Sequence, residues 1–181
     1  SDVCSSDLQG FQVAILDVLA EKLEIREAVE RIIRLSPRLL CFVVYGENVN
    51  SGTTQMSGAV KLANAIKDSG IDIPIALVGS YVQALPYKAL ADEKSIDFVF
   101  TNEGVYALWN VLNLDDLHDK SKLEDTKGIG ILKDGKPFLT PTERVVPQER
   151  MDIDLPGYAW DLLDTIQPRS SKITPKYSIT C

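Results

Sequence analysis

Residues 39–54 read LLCFVVYGENVNSGTT, and this stretch decides the fold that we predict. It opens with an unbroken apolar run, residues 39–44, rich in β-branched and aromatic side chains. Such a run is typical of a central strand that is buried on both faces. A glycine and several small polar residues follow, and a helical pattern then begins. Open α/β sheets build their ligand crevices from this order of strand, loop and helix, although an ordinary solvated connection has the same order.

The sequence repeats this alternation of strand and helix up to residue 113. Short apolar runs predict further strands at residues 11–17 (FQVAILD), 75–78 and 97–101. Apolar residues at helical spacing predict helices over residues 25–33, 56–66, 86–93 and 105–112. Such alternation is typical of a doubly wound, mostly parallel α/β sheet with right-handed crossovers and helices on both faces. We therefore expect a Rossmann-like or flavodoxin-like domain.

The character of the sequence changes after residue 113. A charged connector leads to two short runs on either side of Asp134 and Gly135, a pair that is a strong signal for a two-residue hairpin turn. Residues 141–156 are rich in proline and predict an extended linker, and residues 172–181 predict the start of another strand. We expect an α/β domain, then a connector with an appended β-hairpin, then an extended C-terminal linker, at residues 9–113, 114–140 and 141–181.

Composition excludes several classes of function. The chain has 181 residues, 45% hydrophobic and 25% charged, and a formal net charge of −7. This charge disfavours a nucleic-acid partner or an anionic membrane partner, because either would need a basic surface. The apolar runs are also too short to span a bilayer. The three cysteines lie far apart, so they predict neither a zinc site nor a disulfide framework, and the simplest compartment is a reducing cytoplasm.

Both ends of the sequence look like cuts in a longer protein. Residues 1–8, SDVCSSDL, resemble the translation of a common sequencing adapter, so they are left out of the fold prediction together with Cys4. The chain also ends abruptly at Cys181.

Three predicted strand ends carry the candidate binding loops, at residues 46–54, 79–85 and 102–104. In a parallel sheet these ends fall on one edge, so the loops converge. Glycines let a backbone approach a ligand closely, and hydroxyls with helix-start N–H groups hold amides or a phosphate. None of the three loops contains Lys or Arg, which favours a large, mostly uncharged ligand.

Other chemistries lack the residues that they require. The sequence has no G-x-x-x-x-G-K-[ST] motif and no G-x-G-x-x-G turn after a strand. Its only histidine is His118, in the charged connector, so a Ser-His-Asp triad or a histidine metal site has little basis. Asp17 is either a ligand-loop residue or a solvated strand end, and the second interpretation is favoured.

Four segments together resemble cobalamin-dependent radical S-adenosylmethionine proteins. They are VVYGENVNSGTTQMSGA (43–59), ALVGSYVQALPYKAL (76–90), DFVFTNEGVY (97–106) and DIDLPGYAWDLLD (152–164). The resemblance covers residues 11–164 and matches the N-terminal cobalamin-binding domain of that family and the linker after it. It implies that cobalamin lies on the carboxyl edge of the sheet. It also implies that the strand which normally opens such a domain is missing here.

The resemblance implies a set of cofactor-binding residues: Tyr45, Gly46, Asn48, Ser51, Thr53, Thr54, Gly79, Ser80, Tyr81, Leu85, Asn102, Glu103 and Gly104. Family members usually have Gly-Gly where this chain has Gly79-Ser80. The D-x-H-x-x-G signature of other cobalamin folds is absent, so no histidine of this chain is expected on cobalt.

The full-length parent would also hold S-adenosylmethionine and a [4Fe–4S] cluster on C-x-x-x-C-x-x-C, because thiolates ligate the iron. Cys181 is the first cysteine of that motif, or lies just before it, or is an ordinary strand cysteine. The parent would transfer a methyl group to, or rearrange, a small-molecule substrate, and this fragment alone would catalyse nothing.

Two alternatives stay open. The first is a signalling or interaction domain of the same topology that binds no cofactor; it would be favoured if Asp17 were a phospho-acceptor beside a lysine, and no clear lysine is available. The second is a flavin-binding redox domain in which residues 51–54 hold the phosphate. It is weakened because such a loop usually follows the first strand.

Overall fold

The computed structural model describes residues 10–44 and 54–155. The described residues form five strands: β1 (Leu40–Val43), β2 (Ile75–Val78), β3 (Phe98–Phe100), β4 (Ile129–Lys133) and β5 (Lys136–Leu139). They also form seven α-helices: α1 (Ile25–Leu35), α2 (Thr54–Asp68), α3 (Ser80–Ala84), α4 (Pro86–Asp92), α5 (Val105–Leu112), α6 (Lys120–Asp125) and α7 (Met151–Asp154). A short 3-10 helix, Gln148–Arg150, precedes α7.

The five strands make one sheet in the order β1-β2-β3-β4-β5. The first three are parallel, with Phe42 opposite Leu77 and Leu77 opposite Val99. The last two continue the sheet as an antiparallel hairpin, in which Gly130 faces Val99. The predicted parallel α/β domain with an appended hairpin is therefore confirmed.

Helices cover both faces of the sheet. On one face Phe42 and Leu77 pack with residues of α1, α2 and α4. On the other face Ala76 and Phe98 pack with residues of α5 and α6. Neighbouring residues of a strand point to opposite faces, so each parallel strand is apolar throughout and all of its residues are buried. This is the doubly wound arrangement that the apolar runs predict.

Local signals in the sequence account for several element boundaries. Glu24 and Glu27 form a reciprocal capping box at the start of α1, and Ser36 ends that helix in a left-handed conformation just before Pro37. Asp134 and Gly135 have φ values of 50° and 75°, the left-handed pair that a two-residue hairpin turn requires.

The prediction of a strand at residues 11–17 is wrong. In this segment Leu16 makes a single isolated β-bridge, and the other residues belong to no strand. The chain turns immediately afterwards, and the Asp17 Oδ1 atom accepts hydrogen bonds from the N–H groups of Leu19 and Ala20. β1, predicted as a central strand, ends the sheet order of the described residues. Burial does not distinguish a central strand from an outer strand here, because helices cover both faces of β1.

The sequence pattern also missed four short helices: α3 in the predicted loop at residues 79–85, α6 in the connector and two in the predicted linker. The connector contains α6. Its N-cap residue is Asp119, and the Asp119 side chain accepts a hydrogen bond from the N–H of Ser121. The predicted extended linker runs as coil from residue 141 to 147 and then forms the 3-10 helix and α7. Neither helix of the linker exceeds four residues, which is too short for a recognisable apolar period. Within residues 10–44 and 54–155 no helix has the length and apolar character that a bilayer crossing requires.

Candidate functional site

The loop after β2 begins with a glycine that the packing requires. Gly79 has a φ of 122°, and a Cβ atom added to it would lie 2.3 Å from the carbonyl oxygen of Val44. The N–H of Val44 donates to the carbonyl of Val78 at 2.7 Å, so the ends of β1 and β2 lie side by side. The absent side chain at residue 79 therefore makes room for the end of β1. Helix α3 begins at the next residue, Ser80.

The loop after β3 is shaped by Asn102. The Oδ1 atom of Asn102 accepts a hydrogen bond from the N–H of Gly104 at 2.9 Å. Gly104 has a φ of 86° and is the N-cap residue of α5, so this left-handed turn directs the chain from the strand into the helix.

One hydrogen bond joins the two loops. The Nε2 atom of Gln83, on α3, donates to the backbone carbonyl of Asn102 at 2.8 Å. The predicted convergence of the second and third loops at the carboxyl edge is therefore present in the structure. Gln83 lay inside the second predicted loop, but nothing in its spacing identified it as the residue that joins the two loops.

The predicted residues of these two loops differ in their exposure. Ser80 and Glu103 are exposed, and Leu85 is 45% exposed at the junction of α3 and α4. Tyr81 is half-buried and packs against the core on the α1 face. Gly79 and Gly104 are buried. The exposed side chains at this edge are thus those of a serine, a glutamate and a leucine.

Several of the predicted site residues lie outside the described residues: Tyr45, Gly46, Asn48, Ser51, Thr53 and Cys181. Thr54 is the first residue of α2, and only its backbone is described. The close approach of Gly79 to Val44 places the last described residue before the first predicted loop beside the start of the second loop.

A buried polar cluster beside the third loop was missed by sequence reasoning. The Tyr106 hydroxyl, on α5, donates to Asp154 Oδ2 at 2.6 Å, and Arg150 donates to both oxygens of that carboxylate at 2.8 and 2.7 Å. The Arg144 guanidinium lies 4.6 Å from the centre of the Tyr106 ring. These partners are 38–48 residues from Tyr106 in sequence, so no local pattern connects them.

The cluster shifts two pKa values in opposite directions. The hydrogen bonds from Arg150 and Tyr106 stabilise the charged carboxylate and lower the pKa of Asp154. The hydrogen bond to Asp154, together with burial, stabilises the neutral phenol and raises the pKa of Tyr106. At neutral pH the cluster therefore holds a carboxylate, a guanidinium and a protonated phenol.

The residues considered for other chemistries lie elsewhere. His118 Nδ1 is 3.6 Å from Asp72 Oδ1, and Asp72 precedes β2, so this pair lies at the amino edge of the sheet. The Asp17 carboxylate is buried and caps a turn, which is a structural role instead of the solvated strand end that we favoured. Among the described side chains no cluster of three or more His, Cys, Asp or Glu is placed to hold a metal ion.

A cavity of about 630 Å³ lies beside β1, away from the predicted site. It is lined by residues 10–14, by the end of α1 and by Leu108 and Leu112 of α5, and none of the predicted binding residues lines it. Its walls are mostly apolar.

Comparisons with known proteins leave the family of this chain open. No family model matches the sequence, and no curated protein matches it. Among solved structures, the chain is similar to that of the apo, selenomethionine-labelled cobalamin-dependent S-adenosylmethionine radical enzyme OxsB. The identity is 15% and the TM-score 0.47, and the match covers 68% of this chain and 16% of that one. At this level of similarity neither the ligand nor the reaction of OxsB transfers to this chain.

Proposed function

We propose that the α/β domain of this chain binds cobalamin at the carboxyl edge of its sheet. The observation that carries the proposal is the hydrogen bond from Gln83 to Asn102, which joins two of the three loops implicated by the sequence resemblance at one edge. Ligands of open α/β sheets bind outside the carboxyl ends of the strands, in a crevice of this kind.

The described residues of the edge suit a large, mostly uncharged ligand. The Ser80 hydroxyl would form hydrogen bonds with amide groups of the cofactor, and Leu85 and Tyr81 would offer apolar surface. The first loop would complete the site with hydroxyl and amide side chains from Asn48, Ser51, Thr53 and Thr54, beside Tyr45 and Gly46. When bound, cobalamin supplies a cobalt centre that carries a methyl group or supports radical chemistry.

Two of the proposed cofactor residues already have structural roles. Gly79 leaves room for the Val44 backbone, and both polar atoms of the Asn102 side chain are hydrogen-bonded within the protein. Among the described residues of the second and third loops, we propose Ser80, Tyr81, Leu85 and Glu103 for direct contact, because their side chains are exposed or half-buried at the edge.

The larger protein is part of the same proposal. We propose a radical S-adenosylmethionine enzyme that acts on a small-molecule substrate, with a [4Fe–4S] cluster and S-adenosylmethionine held outside this chain and Cys181 near the cluster motif. Cobalamin and that substrate would be its partners, without nucleic acid or membrane.

A titration tests the cofactor assignment. Hydroxocobalamin mixed with the folded protein should change its visible absorption on binding, whereas flavin mononucleotide should not. Ser80→Trp should abolish the change, because an indole would occupy the space above the start of α3. Lys120→Trp, which puts the same side chain at an exposed position on α6, should bind as the wild type does.

Three results would count against the assignment. An unchanged affinity in Ser80→Trp would remove the second loop from the site. A shift of the flavin spectrum alone would favour the flavin-binding alternative. Binding of neither compound would favour a signalling or interaction domain without a cofactor.

A further inference from the structure

Residues 141–155 run back over helix α5, and we call this segment the strap. Near its start the N–H of Gly128 donates to the carbonyl of Pro141 at 2.8 Å. In its middle Val146 is buried against Val105, and at its end Asp154 receives the Tyr106 hydroxyl. The strap is thus fixed to the β-hairpin at one end and to α5 at the other.

The strap also holds the third loop. The Nδ2 atom of Asn102 donates to the backbone carbonyl of Glu143 at 2.8 Å, in a partly buried position. The Glu143 carboxylate accepts a hydrogen bond from Asn110 Nδ2 at 2.7 Å, which ties the same strap residue to α5. Glu143 therefore contacts both the loop and the helix that follows it.

Asn102 is the point at which three elements meet. Its carbonyl accepts from Gln83 of α3, its Oδ1 atom accepts from the N–H of Gly104, and its Nδ2 atom donates to the strap. Both polar atoms of the Asn102 side chain thus make hydrogen bonds within the protein that shape the third loop. These hydrogen bonds give Asn102 the role of supporting the third loop at the edge of the sheet.

We propose that Asn102 is a positioning residue of the cofactor site and that the strap, through Glu143, sets the conformation of the third loop. This inference rests on the proposed cobalamin function and adds the strap to the site. The strap reaches α5 through two separate hydrogen bonds, from Asn110 to Glu143 and from Tyr106 to Asp154.

Asn102→Asp tests the proposal with little change in shape. The carboxylate keeps the acceptor that the N–H of Gly104 needs, but it cannot donate to Glu143. We expect the amides of Glu103 and Gly104 to exchange faster with solvent, and the Kd for hydroxocobalamin to rise roughly five- to tenfold, the effect of one net hydrogen bond. Gln83→Leu, which removes the bond on the other side of the loop, should give the same two changes.

Asn113→Ala is the matched control. It removes an amide hydrogen bond to the carbonyl of Trp109 at the end of α5 but leaves all the contacts of Asn102 and Glu143, so both readouts should stay at the wild-type values. Thermal unfolding of each variant checks that the fold is kept.

The two readouts separate this inference from the proposed function. Wild-type affinity in Asn102→Asp, whatever the amide exchange, would overturn the positioning role. An unchanged exchange rate at Glu103 and Gly104 would overturn the role of the strap in shaping the loop. If the wild-type protein binds no hydroxocobalamin, the proposed function fails and Asn102 has no cofactor to position, while the exchange experiment still decides whether the strap holds the loop.

Discussion

At the scale of single residues, Gly79 makes the most demanding contact of the candidate site. Alanine at this position combines a left-handed backbone with a Cβ atom 2.3 Å from the Val44 carbonyl oxygen. Since that oxygen belongs to the backbone of a buried strand end, it cannot move aside cheaply. We expect Gly79→Ala to lower the free energy of unfolding by about 3 kcal/mol, the sum of backbone strain and overpacking. Urea unfolding followed by circular dichroism measures it.

Gly58→Ala is the control for Gly79→Ala. Gly58 lies within helix α2, and an added Cβ atom would meet nothing within 4 Å. Alanine should stabilise the protein by about 0.5–1 kcal/mol, because glycine is a poor residue for a helix interior. Equal effects of the two substitutions would show that the close approach of Gly79 to Val44 is absent in solution.

At the scale of elements, a hydrogen bond between Tyr106 and Asp154 holds the strap on α5, and the pKa values of these two groups lie far apart. The pKa of Asp154 is lowered, so its contribution to stability is present above its ordinary value of 3.8 and is lost as the pH falls through the lowered value. The pKa of Tyr106 is raised, so its contribution is present below 10.0 and is lost as the pH rises through the raised value. The strap should therefore stay on α5 from about pH 4 to about pH 10.

A single substitution should remove the loss of strap docking at each limit of that pH range. Tyr106→Phe should abolish the alkaline loss that is attributable to the strap, and Asp154→Asn should abolish the acid loss. In a Trp160→Phe background, the emission of Trp109, whose ring lies 5.3 Å from that of Tyr106, reports the docking as the pH is changed. An acid transition in Asp154→Asn identical to that of the wild type would assign the loss to other carboxylates.

Elements with a clear apolar period or a characteristic turn pair could be predicted from the sequence. Elements held by contacts between residues far apart in the sequence could not. The hairpin follows from Asp134 and Gly135, and α1 follows from its apolar spacing. The strand predicted at residues 11–17 failed because its apolar pattern is the same whether or not a partner strand is present. Helix α7 has four residues, and its place is set by a hydrogen bond between residues that are 48 positions apart. No local pattern in the sequence encodes that contact.

The same limit applies to the candidate site. The three loops could be placed at one edge from the sequence, because the carboxyl ends of parallel strands share an edge. The internal role of Asn102 could not be predicted, because it depends on Gln83 and Glu143, which come from different elements. Sequence pattern therefore places loops at a sheet edge more easily than it identifies the residues that support those loops.

At the scale of the whole molecule, the two helix layers share one sheet, and we expect them to unfold together. Phe42 is fully buried on the face of α1 and α2, whereas Trp109 lies on α5, on the opposite side of the sheet. Phe42→Ala should cost about 3–5 kcal/mol, the usual effect of removing a buried aromatic side chain. Because strands β1–β3 contribute to both layers, the tryptophan signal and the circular dichroism signal should move to lower urea by the same amount.

Phe138→Ala is the matched control for Phe42→Ala, because Phe138 lies on β5 with 38% of its surface exposed. Its replacement removes fewer contacts and should shift both signals much less. If Phe42→Ala moved the circular dichroism transition and left the tryptophan transition in place, the layer of α5 and α6 would be a separate folding unit. The hydrogen bonds between the strap and the third loop would then survive the loss of the layer of α1 and α2, whereas the bond from Gln83, on α3, would be lost with that layer.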